Sequence, residues 1–185
     1  MDFEAIVIGC SAGGLKALKA IITGLDNSFS IPIIVVQHLS PHSDSFMAKY
    51  FNQLSHLNIK EADEKEPVRQ SHIYFAPPNY HLLVEDDKTL SLSVDDKVNY
   101  ARPSIDVLFE SAAFVWGHRL IGIILTGANN DGANGLKKIA AAGGLAIVQS
   151  PETAEVPIMP ISAIDQCPEA NILALNDIPL FLNKL

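Results

Sequence analysis

A serine stands between glycines directly after the first apolar run of the chain. The segment 9–14 reads Gly-Cys-Ser-Ala-Gly-Gly, which places Ser11 in the pattern G-x-S-x-G between a predicted strand and a predicted helix. In that context the glycines permit a tight turn, the hydroxyl stands above a sheet, and helix N–H groups can bind a developing oxyanion. A phosphate-binding loop or a simple capped turn would look the same. The dinucleotide fingerprint G-x-G-x-x-G is absent, because Ser11 occupies its second glycine position.

A histidine and an aspartate follow two other apolar runs. His38 comes after Ile31–Val36, and Asp131 lies in the loop after Leu120–Leu125. Taken singly, His38 could be satisfied by nearby backbone, and Asp131 could cap the helix that follows it. The carboxyl ends of parallel strands share one edge of a sheet, however, so both side chains are expected to meet Ser11 there. A nucleophile, a base and a carboxylate that orients the base form a catalytic triad, which we predict to be Ser11, His38 and Asp131.

The segments that must position these residues alternate between strand-like and helix-like patterns. Four apolar, β-branched runs are continuous rather than alternating, as expected for strands buried on both faces of a parallel sheet. These runs are Ala5–Ile8, Ile31–Val36, Leu120–Leu125 and Leu145–Val148. Helices are predicted over residues 13–24, 43–54, 103–117 and 131–143. Ser43 is the expected N-cap of the second helix, and Phe46 and Phe114 are expected to be buried.

This alternation predicts an α/β fold: a three-layer, doubly wound, mainly parallel sheet with helices on both faces. Residues 72–94 differ, because short strand-like stretches there are separated by turn residues, with 86–88 as a hairpin turn. We expect them to form an antiparallel edge hairpin on the main sheet. The whole chain, residues 1–185, is expected to be a single domain.

Composition narrows the classes of function. The chain has 185 residues and a formal net charge of −8, which disfavours a nucleic-acid-binding surface. No apolar run is long enough for membrane insertion, and residues 1–9 lack the basic start of a secretory signal, so we predict a cytoplasmic location. Cys10 and Cys167 are in no metal-binding pattern, so neither a metal nor a cofactor is predicted.

Six stretches, spread over almost the whole chain, resemble the catalytic domain of the chemoreceptor protein-glutamate methylesterases, the CheB family. They are AIVIGCSAGG at 5–14, VVQHLSP at 35–41, YFAPPNYHL at 74–82, RPSIDVLFES at 102–111, ILTGANNDGANG at 124–135 and QSPETAEVPIMPISAI at 149–164. The order Ser–His–Asp also fits this family and differs from the Ser–Asp–His order of α/β-hydrolases.

The resemblance implies a reaction and a set of partners. Ser11 would attack a methyl ester on a receptor glutamate to form an acyl-enzyme, His38 would move the protons, and Asp131 would orient His38. Specific receptor glutamines could be deamidated by the same chemistry. The expected partners are the cytoplasmic helices of methylated chemoreceptors, with a separate receiver-domain protein as a further candidate. Many family members carry their own receiver domain, for which this chain is expected to have no room.

The resemblance also implies pocket residues and shows departures from the family. Ala12 and Gly13 after the nucleophile, and Ala128 and Asn129 before Asp131, are the predicted oxyanion and pocket residues. Ala128 stands where the family typically has Met, and Asn129 stands where it has Gly, which affects the shape of the pocket.

Arg102 and His81 lie in family-like stretches and are candidate substrate-binding residues. For Arg102, an internal salt bridge is the alternative. Because of the departures in the pocket, two other functions stay open beside the methylesterase: a divergent hydrolase of small esters or amides, and a non-catalytic signalling domain.

Overall fold

The computed structural model describes residues 2–38 and 46–185. Its main sheet has seven parallel strands in the order β10-β9-β8-β1-β2-β5-β3. These strands are β1 (Ala5–Cys10), β2 (Ile33–Gln37), β3 (Asn58–Glu61), β5 (His72–Phe75), β8 (Leu120–Ile124), β9 (Leu145–Gln149) and β10 (Asn171–Leu173). The predicted mainly parallel α/β sheet is confirmed.

The central strands are buried because helices cover both faces of the sheet. Strands β1, β2 and β8 are buried along their whole length, which explains their continuous apolar sequences. The helices are α1 (Gly14–Gly24), α2 (Phe46–Asn52), α3 (Ile105–Trp116), α4 (Ala133–Ala141), α5 (Ile158–Gln166) and α6 (Asp177–Leu182), with a short 3₁₀ turn at Gly117–Arg119. One apolar core contains side chains of α1, α2 and α6, and the other contains side chains of α3, α4 and α5.

The direction of chain growth reverses at β1. From β1 the chain passes to β2 and on towards one edge, and it later returns through β8, β9 and β10 to the other edge. Such a topological switch point opens a crevice at the carboxyl ends of the strands, where ligands bind in open α/β sheets. Residues that follow β1, β2 and β8 therefore share one crevice.

The predicted hairpin is present, but it is not part of the main sheet. β6 (His81–Val84) and β7 (Thr89–Ser93) pair antiparallel, and β4 (Glu66–Pro67) joins β7 in a separate three-stranded sheet. The first of the three short strands, β5, instead lies parallel inside the main sheet. The small sheet packs over α3, which buries Leu82, Val84 and Leu90. Burial of that apolar face favours the separate arrangement over an edge position.

The helices lie close to their predicted positions, but two aromatic side chains that were predicted to be buried are exposed. The predicted cap Ser43 lies outside the described residues. Phe46 and Phe114 were expected in the core, but they are 63% and 80% exposed. The helix α3 turns Leu108, Phe109 and Trp116 inward, so Phe114 falls on its outer side. In the described ranges, no helix is long and apolar enough to cross a lipid bilayer.

Candidate active site

Ser11 lies at the carboxyl end of β1, in the middle of the crevice. Its backbone N–H donates to the carbonyl of Thr126 at 2.9 Å, and Gly14 N–H donates back to the Ser11 carbonyl at 2.9 Å. The left-handed residue of this turn is Gly13, with a φ of 79°, rather than the serine itself. A side chain at Gly13 would also collide with Glu155 and Thr126, so the turn requires glycine there.

Two residues that the sequence reasoning missed hold this turn in place. Gln37 is buried, and its side-chain amide nitrogen, Nε2, donates to the carbonyls of both Ser11 and His38, at 2.9 and 3.0 Å. The Thr126 hydroxyl donates to the Ala12 carbonyl at 2.8 Å. A polar residue at the end of an otherwise apolar buried strand was the available signal for Gln37, because buried amides need partners.

His38 follows β2 and uses both ring nitrogens on protein groups. Its Nε2 lies 2.8 Å from Oδ2 of Asp131, and its Nδ1 lies 3.1 Å from Nδ2 of Asn129. Within the described ranges, no hydrogen bond joins the Ser11 hydroxyl to His38. Ser11, His38 and Asn129 nevertheless line one cleft of about 370 Å³. The structure therefore brings the three predicted triad residues to one place, with the His–Asp contact formed.

Asp131 is only 1% exposed, and its carboxylate accepts five hydrogen bonds. The donors are the His38 ring (2.8 Å), the Asn99 amide (3.0 Å), the Ser104 hydroxyl (2.8 Å) and the backbone N–H groups of Ile105 (2.6 Å) and Asp106 (3.2 Å). Asp131 thus serves the N-terminus of α3, whereas the N-cap of its own helix α4 is Gly132. The simple capping alternative therefore does not describe it, and the positive end of α3 favours its ionised form.

A second buried carboxylate mirrors the first. Asp106 accepts from the backbone N–H of Gly135 at 2.7 Å, near the start of α4, while Asp131 serves the start of α3. The Asn99 amide lies between them and donates to both, at 2.8 Å to Asp106 and 3.0 Å to Asp131. Neither Asn99 nor Ser104 was predicted as a site residue, because their contacts depend on how α3 packs against α4.

The two carboxyls have pKa shifts of opposite sign. Burial opposes ionisation of Asp131, but hydrogen bonds from His38, Asn99, Ile105 and Ser104 outweigh it and hold its pKa below the ordinary value. For Asp106, burial dominates over the hydrogen bond from Gly135, and with the nearby charge of Asp131 it raises the pKa. The carboxylate beside His38 is therefore the one that stays ionised most readily.

These shifts predict a pH-dependent stability. A carboxyl with a lowered folded-state pKa stabilises the fold above its unfolded pKa of about 3.9, and this contribution is lost as pH falls through the folded-state value. We expect Asp131→Asn to lower the free energy of unfolding by roughly 2–3 kcal/mol at neutral pH, and the deficit to shrink below about pH 4. Urea denaturation over a pH series measures it.

Asp106→Asn is the matched control for that experiment. The pKa of Asp106 is shifted in the opposite direction, upward. Its ionised form therefore destabilises the fold at neutral pH, and this destabilisation disappears as the group is protonated. We therefore expect Asp106→Asn to lose less stability at neutral pH than Asp131→Asn. Deficits that stay constant with pH for both variants would contradict the assignment.

The predicted pocket residues lie around Ser11 in different ways. The backbone N–H groups of Ala12 and Gly13 make no hydrogen bond to the described part of the chain, so they are free to bind an oxyanion. Ala128 is exposed and does not line the cleft of Ser11 and His38, whereas Asn129 does. Asn129 accepts from Asp131 N–H at 3.0 Å as well as contacting His38. Its backbone φ is not positive, so glycine is not required there.

The two candidate substrate-binding residues are both occupied. Arg102 lines the cleft, but its guanidinium donates to the carbonyls of Val94 and Asp95 and to the Asn79 side chain. It makes no salt bridge within the described residues, so it anchors the segment that walls the cleft. His81 is buried away from the cleft, where its Nδ1 accepts from Ser104 N–H and its Nε2 donates to the Asp96 carbonyl. A substrate role for either residue remains a prediction.

The described residues contain no cluster of three metal-ligating side chains. Both cysteines are buried, and burial raises the pKa of each thiol, which keeps them protonated and unreactive at neutral pH. Cys10 donates to Oε1 of Gln37 at 3.1 Å, so it points away from the cleft that Ser11 faces.

Fold and site together define a class: three-layer α/β proteins with a serine, a histidine and a buried aspartate at the switch point, the residue set of serine hydrolases. The chain belongs to the CheB methylesterase family, whose model matches residues 6–182. It is 34% identical to the chain in the "Crystal structure of Thermotoga maritima CheB methylesterase catalytic domain", with a TM-score of 0.93 over 100% of this chain and 99% of that one.

Relatives of two lengths match this chain. A Leptospira interrogans protein (serovar copenhageni, strain Fiocruz L1-130) named "Putative protein-glutamate methylesterase/protein-glutamine glutaminase" is 53% identical over 96% of this chain and 92% of its own length. The protein-glutamate methylesterase/protein-glutamine glutaminase 2 of Caulobacter vibrioides is 39% identical over 85% of this chain, but only 46% of its own length. Longer relatives therefore contain sequence that this match does not include.

Proposed function

We propose that this protein hydrolyses methyl esters on glutamate side chains of chemotaxis receptors and deamidates specific receptor glutamines by the same route. The observation that carries the proposal is the Asp131–His38 pair, at 2.8 Å, in one cleft with Ser11, in a chain that belongs to the CheB methylesterase family over residues 6–182. The names of the relatives supply the substrate class.

In the proposed mechanism, Nδ1 of His38 is the base. Asp131 is ionised and accepts from Nε2, so the lone pair of the neutral ring lies on Nδ1. The Ser11 oxygen attacks the ester carbon as its proton passes to Nδ1, and the negative charge on the carbonyl oxygen is stabilised by the N–H groups of Ala12 and Gly13. The bond to the methoxy group then breaks, Nδ1 gives its proton to the leaving oxygen, and methanol departs.

Water then hydrolyses the acyl-enzyme with the help of the same two side chains, His38 and Ser11. It loses a proton to Nδ1 of His38 and attacks the acyl-enzyme, and the bond to the Ser11 oxygen breaks as that oxygen regains the proton. The glutamic acid product ionises to a carboxylate. Throughout, Asp131 holds the ring in one tautomer and stabilises the imidazolium. Four further hydrogen bonds, from Asn99, Ser104, Ile105 and Asp106, fix the position of its carboxylate.

The proposed substrate is a receptor helix presented in the cytoplasm. The side chain that carries the ester is short, so the receptor backbone must lie against the rim of the cleft. Lys97 and Tyr100 belong to that rim, and Tyr100 is 98% exposed. A receiver-domain protein in trans remains a proposed partner, and the cytoplasmic location remains a prediction.

The test of the function is methanol release from methylated chemoreceptor by the purified chain. Release that requires both the methylated receptor and Ser11 supports the proposal. A second candidate, hydrolysis of small esters, is favoured by Ala128, a small exposed residue at a position where the family typically has Met. A chain that hydrolyses a small chromogenic ester but releases no methanol from receptor would favour that second function.

The pocket can be tested at Ala128. We expect Ala128→Met to retain or increase receptor demethylation, by up to about fivefold, because an exposed position accepts the larger side chain without displacing a core and the thioether adds apolar contact for the substrate. Steady-state rates with receptor and with a small ester measure the effect. Loss of receptor activity together with high activity of the parent on the small ester would indicate a different substrate.

We also propose that residues 1–185 act as a single catalytic domain. The cleft that Ser11 and His38 line reaches the surface at the exposed Tyr100, so we expect it to accept substrate without a phosphorylation-dependent opening step. Acetyl phosphate is therefore expected to change methanol release by the purified chain less than about twofold. A phosphodonor that does not favour one conformation of the protein over another does not shift the equilibrium between them. A large stimulation would reveal a phosphoacceptor within the chain.

A further inference from the structure

The nitrogen that must accept the serine proton is already occupied in this structure. The Asp131 carboxylate accepts a hydrogen bond from Nε2 of His38, so Nδ1 is the ring nitrogen that can act as base. The side-chain amide of Asn129 lies against that atom, with Nδ2 at 3.1 Å from Nδ1. The catalytic mechanism does not use this contact, so it needs a separate explanation.

The orientation of the Asn129 amide follows from its second hydrogen bond. The backbone N–H of Asp131 points to one end of the amide at 3.0 Å, and an N–H can only donate, so that end is the carbonyl oxygen Oδ1. The NH₂ group must then face His38. Asn129 is consequently a donor to Nδ1, and its contact is compatible only with an unprotonated Nδ1.

Proton transfer makes the same contact repulsive. Once Nδ1 carries the Ser11 proton, two N–H groups face each other at hydrogen-bonding distance, and neither can accept. Among the described residues, the other charged groups at this cleft are the Asp131 carboxylate at Nε2 and Lys97 and Arg102 on the wall, and none of these relieves a clash at Nδ1. The Asn129 side chain must therefore leave Nδ1 before or during the attack.

We propose that Asn129 is a positioning residue that acts as a latch on the catalytic base: it holds Nδ1 of His38 in the resting enzyme and releases it to Ser11 for catalysis. The inference rests on the proposed function and adds a step to it. Asp131 alone, fixed by four further donors, already aligns the ring, so removal of the latch leaves the alignment intact. The latch exists because this chain has Asn where the resemblance leads one to expect Gly.

Two substitutions separate the latch from its alternatives. Asn129→Ala removes the amide without backbone strain, because φ at this position is not positive. Asn129→Asp keeps the shape but presents carboxylate oxygens to Nδ1, which stabilise a proton there. Asn130→Ala is the matched control, because Asn130 is an exposed neighbour in the same loop.

With Asn129→Ala we expect the acylation rate and kcat to rise about three- to tenfold, the range for loss of one neutral hydrogen bond, with KM changed less than twofold. With Asn129→Asp we expect kcat to fall tenfold or more near neutral pH, because the base is already protonated. Asn130→Ala should match the parent. A fall in kcat for Asn129→Ala would overturn the latch and leave Asn129 as an aligning residue only.

A spectroscopic readout does not depend on turnover. Ring-¹⁵N spectra of the six histidines, with His38 assigned by comparison with His38→Gln, report which nitrogen carries the proton. At about pH 8, where an ordinary imidazole is neutral, we expect Nε2 protonated and a hydrogen-bonded, unprotonated Nδ1 whose shift moves in Asn129→Ala. A proton on Nδ1 in the parent would refute the latch. If the parent hydrolyses neither receptor nor small ester, the proposed function fails, and the spectra still decide whether Asn129 holds Nδ1.

Discussion

Replacing Ser11 with alanine is expected to reduce methyl ester hydrolysis on the order of 10³-fold or more. Ser11 is the only hydroxyl of the three-residue constellation and lies in the cleft with His38, so its loss removes the atom that forms the acyl-enzyme. The residual rate should come from binding and from the free N–H groups of the turn. Single-turnover methanol release from methylated receptor measures the loss.

The neighbouring cysteine cannot replace the serine. Cys10 is fully buried, and burial raises the pKa of its thiol, so the nucleophilic thiolate is not available at neutral pH. Ser28→Ala is a matched control, because Ser28 is an exposed serine beside a different hollow of the surface. An unchanged melting temperature shows that Ser11→Ala is folded. Near wild-type turnover by Ser11→Ala would remove Ser11 from the nucleophile role.

His38→Ala is expected to cause a loss of similar size, again about 10³-fold or more. Without the imidazole, none of the described residues that line the cleft supplies a base for the serine proton, and the Asp131 carboxylate loses one of its five donors. The double variant Ser11→Ala/His38→Ala should be little worse than either single variant, because nucleophile and base act in the same step. Measuring kcat/KM for all three variants tests this non-additivity.

The control for His38→Ala is His56→Ala, which removes an exposed histidine after α2. It should leave the rates within about twofold, as expected for a surface substitution. If the losses of the two single variants instead multiply in the double variant, Ser11 and His38 do not act in one step, and the triad assignment is wrong.

The site also explains why the carboxylate of this triad can be so deeply buried. Two aspartates link the helices α3 and α4. Asp131, just before α4, accepts from a backbone N–H at the start of α3, and Asp106 of α3 accepts from a backbone N–H near the start of α4. The first turn of a helix has N–H groups without a partner inside the helix, and each carboxylate accepts hydrogen bonds from such groups of the neighbouring helix. The Asn99 amide then separates the two negative charges. The acid of the triad is in this way part of the contact between two core helices.

The sequence by itself determined the class of fold and the position of the three chemical residues. Continuous apolar runs mark strands buried on both faces, and Ser11, His38 and the loop of Asp131 each follow such a run. Parallel strands end at the same edge, so placement after a strand is enough to predict convergence. The glycine pattern around Ser11 predicted the tight turn, because only backbone freedom is needed for it.

Other features were decided by the tertiary structure alone. The β6–β7 hairpin could have paired with the main sheet or with β4, since the local pattern of a hairpin is the same in both cases. Phe114 has the character of a core residue, but α3 buries a different face. Periodicity measures only how apolar residues recur along one element, and the partner of that element is not contained in it.

The fine structure of the site belongs to the same category. Asn99 and Ser104 are 32 and 27 residues from Asp131 along the chain, and the contact of Asn129 with His38 spans 91 residues. The first two contacts depend on how the segment before α3 packs against the start of α4, and the third depends on the order of β8, β1 and β2 in the sheet. Each requires atoms to lie within hydrogen-bonding distance, a length that no sequence spacing encodes. The residues that do the chemistry are therefore readable from the sequence, whereas those that hold, ionise and restrain them are fixed by the packing of distant elements.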